Sequence, residues 1–109
     1  MALDTVDLQE ITEGRHKAIA ASIRSIGVDE LKILGERLFP FVDHPWREKF
    51  FDFLKENTGA TFYHAIAQDG VQFIYCPAKD KGMWFVPGVG MGPMQPKGRG
   101  ILKQIVEGR

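Results

Sequence analysis

The apolar positions in the first half of the chain recur at the 3.6-residue spacing of amphipathic helices. Three helices are predicted, from Asp4 or Thr5 to Gly27, from Asp29 to Pro40, and from about Pro45 to Lys55. Gly14 and Arg15 interrupt the apolar stripe of the first, which indicates a kink or a separate short helix before the main one. In the second, the predicted stripe consists of Leu31, Ile33, Leu34 and Leu38. Pro40 ends the second helix because proline supplies no N–H inside a helix. Pro45 begins the third because proline suits the first turn of a helix.

After Gly59 the pattern changes to short runs rich in aromatic and β-branched residues, which predict strands. The three runs are TFYHAIA, VQFIYCP and GMWFVPG. Asp69-Gly70, between the first two, is a strong signal for a two-residue type I′ hairpin turn. A last helix follows, with a stripe made of Ile101, Leu102, Ile105 and Val106. The predicted fold is therefore α+β, with three N-terminal helices, a three-stranded antiparallel meander and a C-terminal helix (ααα-βββ-α).

The two-residue turn at Asp69-Gly70 sets the predicted register of the first hairpin. It places His64 opposite Tyr75, and alternation along the strands then puts Cys76 on the other face from His64. Neither face of the sheet is clearly polar, so both faces are predicted to be covered. The covering layer is either the chain's own helices or a second copy of the chain. Large apolar patches usually mark contacts, so self-association as a homodimer through an apolar sheet face is predicted, with cover by the chain's own helices as the open alternative.

Composition narrows the class of protein. The chain has 109 residues, of which 44% are apolar, and this fits a single domain over residues 1–109 with its own core. Lys and Arg together number 14, and so do Asp and Glu, so no net charge draws the chain to nucleic acid or to an anionic membrane. The single cysteine excludes an internal disulfide and favours a reducing compartment, the cytoplasm. The first residues show no signal peptide, and no apolar run approaches the length of a membrane span.

The Gly/Pro-rich segment at about 88–100 is the most distinctive stretch of the chain. It lies between the last predicted strand and the last helix, where loops that bind phosphate groups are found. Glycine lets backbone N–H groups approach an anion, and basic side chains add positive charge. The predicted ligand-binding residues are Lys97, Gly98, Arg99 and Gly100. Neither G-x-G-x-x-G nor a P-loop motif is present. Two other interpretations remain open: a connection that only returns the chain to its last helix, or an adaptable partner contact through Met91 and Met94.

No combination of side chains specifies a reaction or a metal site. His64 and Cys76 resemble a base and its nucleophile but point to opposite faces in the predicted register. The histidines His16, His44 and His64 belong to separate elements and lack the spacing of metal ligands. Acidic residues around the third helix alternate with basic ones, as on an ordinary solvated surface. The sequence therefore predicts no catalytic residue, no metal and no cofactor.

These features favour a small binding or interaction module, rather than an enzyme, whose 88–100 segment contacts an anionic ligand or a protein partner. The first alternative is a winged-helix DNA-binding protein, which shares the order of three helices and a hairpin. Against it, the PFVDHP connection is longer than that of a helix-turn-helix, and the third helix is charge-balanced, so nucleic acid is not the predicted partner. The second alternative is a small enzyme with a pocket between sheet and helices that uses Tyr63, His64, Tyr75 or Cys76.

Overall fold

The computed structural model describes residues 11–39, 45–57, 59–67, 70–86 and 89–108. Its helices are α1 (Glu13–Ser22), α2 (Val28–Leu38), α3 (Pro45–Glu56) and α4 (Pro96–Glu107). Its strands are β1 (Arg24–Ile26), β2 (Phe62–Ile66), β3 (Gln72–Cys76), β4 (Lys81–Val86) and β5 (Gly90–Pro93). Their order along the chain is α1-β1-α2-α3-β2-β3-β4-β5-α4. The predictions made for Asp4, Thr5, Pro40, His44 and Asp69 lie outside the described residues.

The prediction of a three-stranded meander is wrong, because the described strands form one five-stranded antiparallel sheet in the order β1-β2-β3-β4-β5. The three predicted strands form the centre of this sheet, and β1 and β5 are its edges. None of the described helices is long and apolar enough to cross a membrane.

Strand β1 lies where the sequence predicts the end of the first helix. Ile23 and Ile26 have helical spacing, but α1 ends at Ser22 and residues 24–26 pair with β2 instead. The hydroxyl of Ser22 extends this pairing, because its Oγ accepts from Ile66 N at 2.9 Å and donates to Ile66 O at 3.0 Å. The apolar spacing of Ile23 and Ile26 also fits a helix, but pairing with β2 determines the structure of residues 24–26.

Strand β5 lies inside the segment for which the sequence predicts a loop. Residues Gly90–Pro93 pair with β4, and Gly92 lies opposite Trp84. The Trp84 indole covers the glycines of β5: an added Cβ would lie 3.0 Å from Trp84 Nε1 at Gly92 and 3.4 Å from Trp84 Cη2 at Gly90. Glycine is depleted in strands, so the sequence carries little signal for a strand here. The alternating glycines leave room for an indole ring that lies across the edge strand.

The register of the first hairpin differs from the prediction by one residue. His64 lies opposite Ile74, one position before the predicted partner. The amide of Ala67 donates to Val71 O at 2.8 Å, so the loop has three residues rather than two. Its last residue, Gly70, has φ +88°, and three-residue hairpin loops commonly end in this left-handed region.

Helices cover both faces of the sheet. On one face, called the α1/α4 face, sheet and helix side chains form a buried cluster of Ile19, Ile23, Ala65, Ala67, Val71, Phe73, Tyr75, Trp84, Met94 and Leu102. The other, called the α2/α3 face, packs in a cluster of Ile26, Leu31, Phe39, Phe50, Leu54, Phe62, Ile74, Cys76, Met83 and Phe85. Of the two coverings that the sequence allowed, the chain's own helices are thus the one found in the described part. Self-association through a sheet face stays a prediction. The described residues do not support it with an uncovered apolar sheet face.

Candidate ligand-binding site

The predicted ligand-binding residues lie in a helix rather than in a loop. Because α4 begins at Pro96, its first turns contain all four of them: Lys97, Gly98, Arg99 and Gly100. Lys97 and Gly100 are exposed, whereas a Cβ at Gly98 would lie 3.3 Å from Cε of the buried Met94. Gly98 therefore makes room for a core side chain, which is a packing role.

The guanidinium of Arg99 contacts polar groups of the same chain. Its Nη1 donates to Met94 O at 2.8 Å, and its Nε lies at ion-pair distance, 3.6 Å, from Asp80 Oδ2. Asp80, which follows β3 with φ +49°, also accepts from the Tyr75 hydroxyl at 3.0 Å. These contacts tie the turn after β3 to the start of α4. The charge of Arg99 is thus already matched by a carboxylate of the same chain.

Ionisation of the Tyr75 hydroxyl makes the free energy of unfolding depend on pH in the alkaline range. Burial, the hydrogen bond to Asp80 and the charge of Asp80 raise the pKa of Tyr75 from 10.0 to about 12. The folded state therefore favours the protonated phenol, and this contribution to the free energy of unfolding is present below pH 10 and lost as pH rises towards 12. In urea unfolding at about pH 8 and about pH 11, we expect Tyr75→Phe to lose less stability at the higher pH than the wild type does.

Tyr63→Phe is the matched control for this prediction. It leaves the hydrogen bond between Tyr75 and Asp80 intact, so the wild-type loss at alkaline pH is expected to remain. An equal alkaline loss in the wild type and in Tyr75→Phe would show that the Tyr75 phenol does not carry the linkage.

His64 and Cys76 lie on the same face of the sheet, so the predicted placement on opposite faces is wrong. They nevertheless do not pair as base and nucleophile. Nε2 of His64 lies 2.8 Å from Gln72 Oε1, and no hydrogen bond within the described residues joins His64 to the thiol. Cys76 is fully buried in the α2/α3-face cluster, whereas a nucleophilic thiol must reach its substrate. The described residues also contain no group of three or more His, Cys, Asp or Glu side chains that could hold a metal ion.

A cavity of about 200 Å³ opens between α2 and the β1–β2 edge of the sheet. Its lining side chains are those of Arg24, Ile26, Glu30, Ile33, Leu34, Arg37 and His64. Arg24 and His64 are direct partners in the antiparallel pair, so both side chains leave the same face of the sheet. The four α2 residues stand at positions i, i+3, i+4 and i+7, which places them on one side of the helix. Distant segments of the sequence therefore meet in one small cavity.

The ionisable side chains around this cavity differ in their partners. Nη1 and Nη2 of Arg24 both donate to Glu30 Oε2 at 3.3 Å, whereas Arg37 forms no ion pair in the part of the chain that the structure describes. Burial lowers the pKa of His64 below its usual 6.5; the hydrogen bond to Gln72 opposes this shift, and the charge of Arg24 adds to it. His64 is therefore neutral at physiological pH. The cavity is left with one positive charge in excess, that of Arg37.

Sequence reasoning misses Arg24, Glu30 and Arg37 as site residues, because singly each resembles an ordinary surface charge. One signal was available on α2. Ile33 lies off the i, i+3, i+7 stripe that begins at Leu31, so its place in the predicted apolar stripe is wrong, and its side chain is 53% exposed. A large apolar side chain on the solvent-exposed side of a helix, here between Glu30 and Arg37, fits a small binding surface that combines apolar and charged groups.

Two larger cavities lie elsewhere among the described residues. A groove of about 390 Å³ beside α3 and β5 is lined by Lys49, Asp52, Phe53, Glu56, Gly82, Met83, Met91, Gly92 and Pro93. A cleft of about 310 Å³ beside α1 and α4 is lined by His16, Ala20, Gln104, Ile105 and Gly108. Met91 thus lines a groove, whereas Met94, the other predicted contact residue, is buried. Neither cavity contains a buried ionisable side chain, so the smaller cavity beside His64 is the candidate site.

Comparison with known proteins finds no matching family model, no matching curated protein and no matching solved structure. Any ligand of this cavity must match the chemistry of its own lining.

Proposed function

We propose that the chain is a small binding module that takes a monoanionic organic acid in the cavity between α2 and the β1–β2 edge. The observation that carries the proposal is Arg37, a guanidinium without an ion-pair partner among the described residues, beside apolar side chains and a buried neutral imidazole. Guanidinium groups bind carboxylates through paired N–H donors, which favours an acid as the ligand.

The charge balance favours a single negative charge on the ligand. Glu30 already neutralises Arg24, and His64 is neutral, so Arg37 supplies the one excess positive charge of the lining. Arg24 and Glu30 are 57% and 60% exposed, so their ion pair orients the Arg24 guanidinium more than it stabilises the fold. A second negative charge on the ligand would lie near Glu30 without a free cation to match it.

The size and apolar lining favour a short, branched ligand. A volume of about 200 Å³ is below the range of about 300–1,000 Å³ found for larger ligands. Ile26, Ile33 and Leu34 supply aliphatic contacts beside the charged groups. An aliphatic acid such as 4-methylpentanoate matches both features.

The alternatives have less support. The 88–100 segment is a weaker anion site because Asp80 and the Met94 carbonyl already contact the Arg99 guanidinium. A winged-helix DNA reader packs its helices together, whereas α1 here lies on the opposite sheet face from α2 and α3. An enzyme would need a reactive group in the cavity besides one imidazole. We also propose that the module works in a reducing compartment such as the cytoplasm, since Cys76 is a free, buried thiol.

Isothermal titration of the chain with 4-methylpentanoate at low ionic strength tests the proposal. Arg37→Ala is expected to weaken binding about tenfold, because it removes a charge-assisted hydrogen bond. Lys97→Ala is the matched control, since it removes an exposed positive charge from α4 and is expected to leave the affinity unchanged. The amine 4-methylpentylamine has the same apolar body with the opposite charge and is not expected to bind. Equal losses for Arg37→Ala and Lys97→Ala, or tighter binding of the amine, would contradict the proposal.

A further inference from the structure

We propose that His64 determines specificity in this site by selecting acids that carry a hydroxyl group beside the carboxylate, that is, 2-hydroxy acids. This inference rests on the proposed function, because it takes Arg37 as the group that holds the carboxylate.

The hydrogen bond to Gln72 fixes which ring nitrogen of His64 carries the proton. Nε2 of His64 lies 2.8 Å from Gln72 Oε1, and an amide oxygen can only accept. Nε2 of the neutral ring is therefore the donor, and Nδ1 is left with its lone pair as an acceptor. Gln72 thus sets the polarity that the imidazole presents to a ligand.

Nδ1 is the nitrogen that remains for a ligand. His64 lines the cavity, and Nδ1 has no hydrogen-bond partner among the described residues. A ligand hydroxyl would donate to this unpaired acceptor, whereas a carboxylate oxygen in the same place would face a lone pair. A 2-hydroxy acid offers both groups on adjacent carbons, so the carboxylate can bind Arg37 while the hydroxyl donates to Nδ1.

Paired titrations with 2-hydroxy-4-methylpentanoate and 4-methylpentanoate test this inference. The two probes differ by one hydroxyl, so their affinity ratio isolates the hydrogen bond to Nδ1. At about pH 7.5 we expect the hydroxy acid to bind the wild type roughly three- to tenfold more tightly, which is the usual worth of one hydrogen bond. In His64→Phe, which keeps a planar ring but no acceptor, the ratio is expected to fall to about one.

The pH profile of the wild type supplies a readout that does not depend on a variant folding. The charged groups that line the cavity with His64 are Arg24, Glu30 and Arg37. Since burial lowers the pKa of His64 from its usual 6.5, the preference is expected to be constant above pH 6.5 and to disappear only at lower pH, where the imidazole gains its second proton. The imidazolium then donates from Nδ1, so both acids bind more tightly and almost equally.

Gln72→Glu tests the same point at neutral pH. A carboxylate in place of the amide favours the charged imidazole, so the preference for the hydroxy acid is expected to be lost while binding of both acids remains. If neither acid binds the wild type, the proposed function itself fails. If both acids bind with equal affinity, and Arg37→Ala weakens both, the site stands and the role of His64 is wrong. A preference that survives in folded His64→Phe also overturns it.

Discussion

Replacement of Trp84 by alanine is expected to lower the free energy of unfolding by about 3–5 kcal/mol, the usual range for removal of a large core aromatic side chain. Trp84 is 3% exposed and belongs to the α1/α4-face cluster. Its indole also lies against the glycines of β5, as the close approach of Nε1 to Gly92 shows. The substitution therefore leaves a void on one face and uncovers an edge strand that has few side chains of its own to pack.

Urea unfolding measures the loss, and hydrogen exchange at Met91 and Gly92 shows whether β5 opens with it. The sharper test is a double-mutant cycle. Gly92→Ala is expected to destabilise the wild type by about 1–3 kcal/mol, because its Cβ would press on the indole, and to cost much less when Trp84 is already alanine. Strict additivity of the two substitutions would contradict the contact. Val89→Ala, at a side chain that is 61% exposed, is the control and is expected to change stability by no more than about 0.5 kcal/mol.

The second large effect is expected at Gly35, where α2 crosses α3. A Cβ there would lie 2.6 Å from Phe50 Cε1 and 3.0 Å from Phe51 Cζ. The ring of Phe50 is fully buried and meets the Phe85 ring edge-on at 6.2 Å between centroids, so it has little space into which to move. Gly35→Ala is therefore expected to lower the free energy of unfolding by about 1–3 kcal/mol, even though alanine favours a helix by about 1 kcal/mol.

Gly100→Ala is the matched control for Gly35→Ala, since both replace a helical glycine by alanine. Nothing lies within 4 Å of a Cβ at Gly100, so only the gain in helix propensity remains, and we expect about 0.5–1 kcal/mol of stabilisation. The same chemical change thus has opposite signs at the two positions. Stabilisation by both substitutions in urea unfolding would show that α2 and α3 do not approach as closely as Gly35 indicates.

The helices and central strands could be predicted because their signals are local. Pro45 opens α3 as expected, and the aromatic runs after Gly59 are β2, β3 and β4. The edge strands could not be predicted, because partners elsewhere in the chain determine them. Residues 24–26 become a strand only when β2 is alongside, and Gly90–Pro93 only when the Trp84 indole covers two glycines.

The candidate site was harder to predict than the fold. Arg24 and His64 meet through the pairing of β1 with β2, which no local sequence pattern predicts. The one-residue error at the Gly70 loop also moved His64 to the wrong face relative to Cys76. The basic residues beside glycine at the start of α4 have the local pattern of an anion site. Arg99, however, pairs with Asp80, which lies in a distant turn, and no local motif predicts that contact.

An NMR titration of the isotope-labelled chain with 4-methylpentanoate tests the location of the anion site most directly. We expect saturable shifts at the backbone and side-chain signals of Arg24, Arg37 and His64, with the amides of Gly98 and Gly100 unmoved. Shifts confined to the amides of Gly98, Arg99 and Gly100, or none at any of these residues, would contradict a binding site between α2 and the β1–β2 edge.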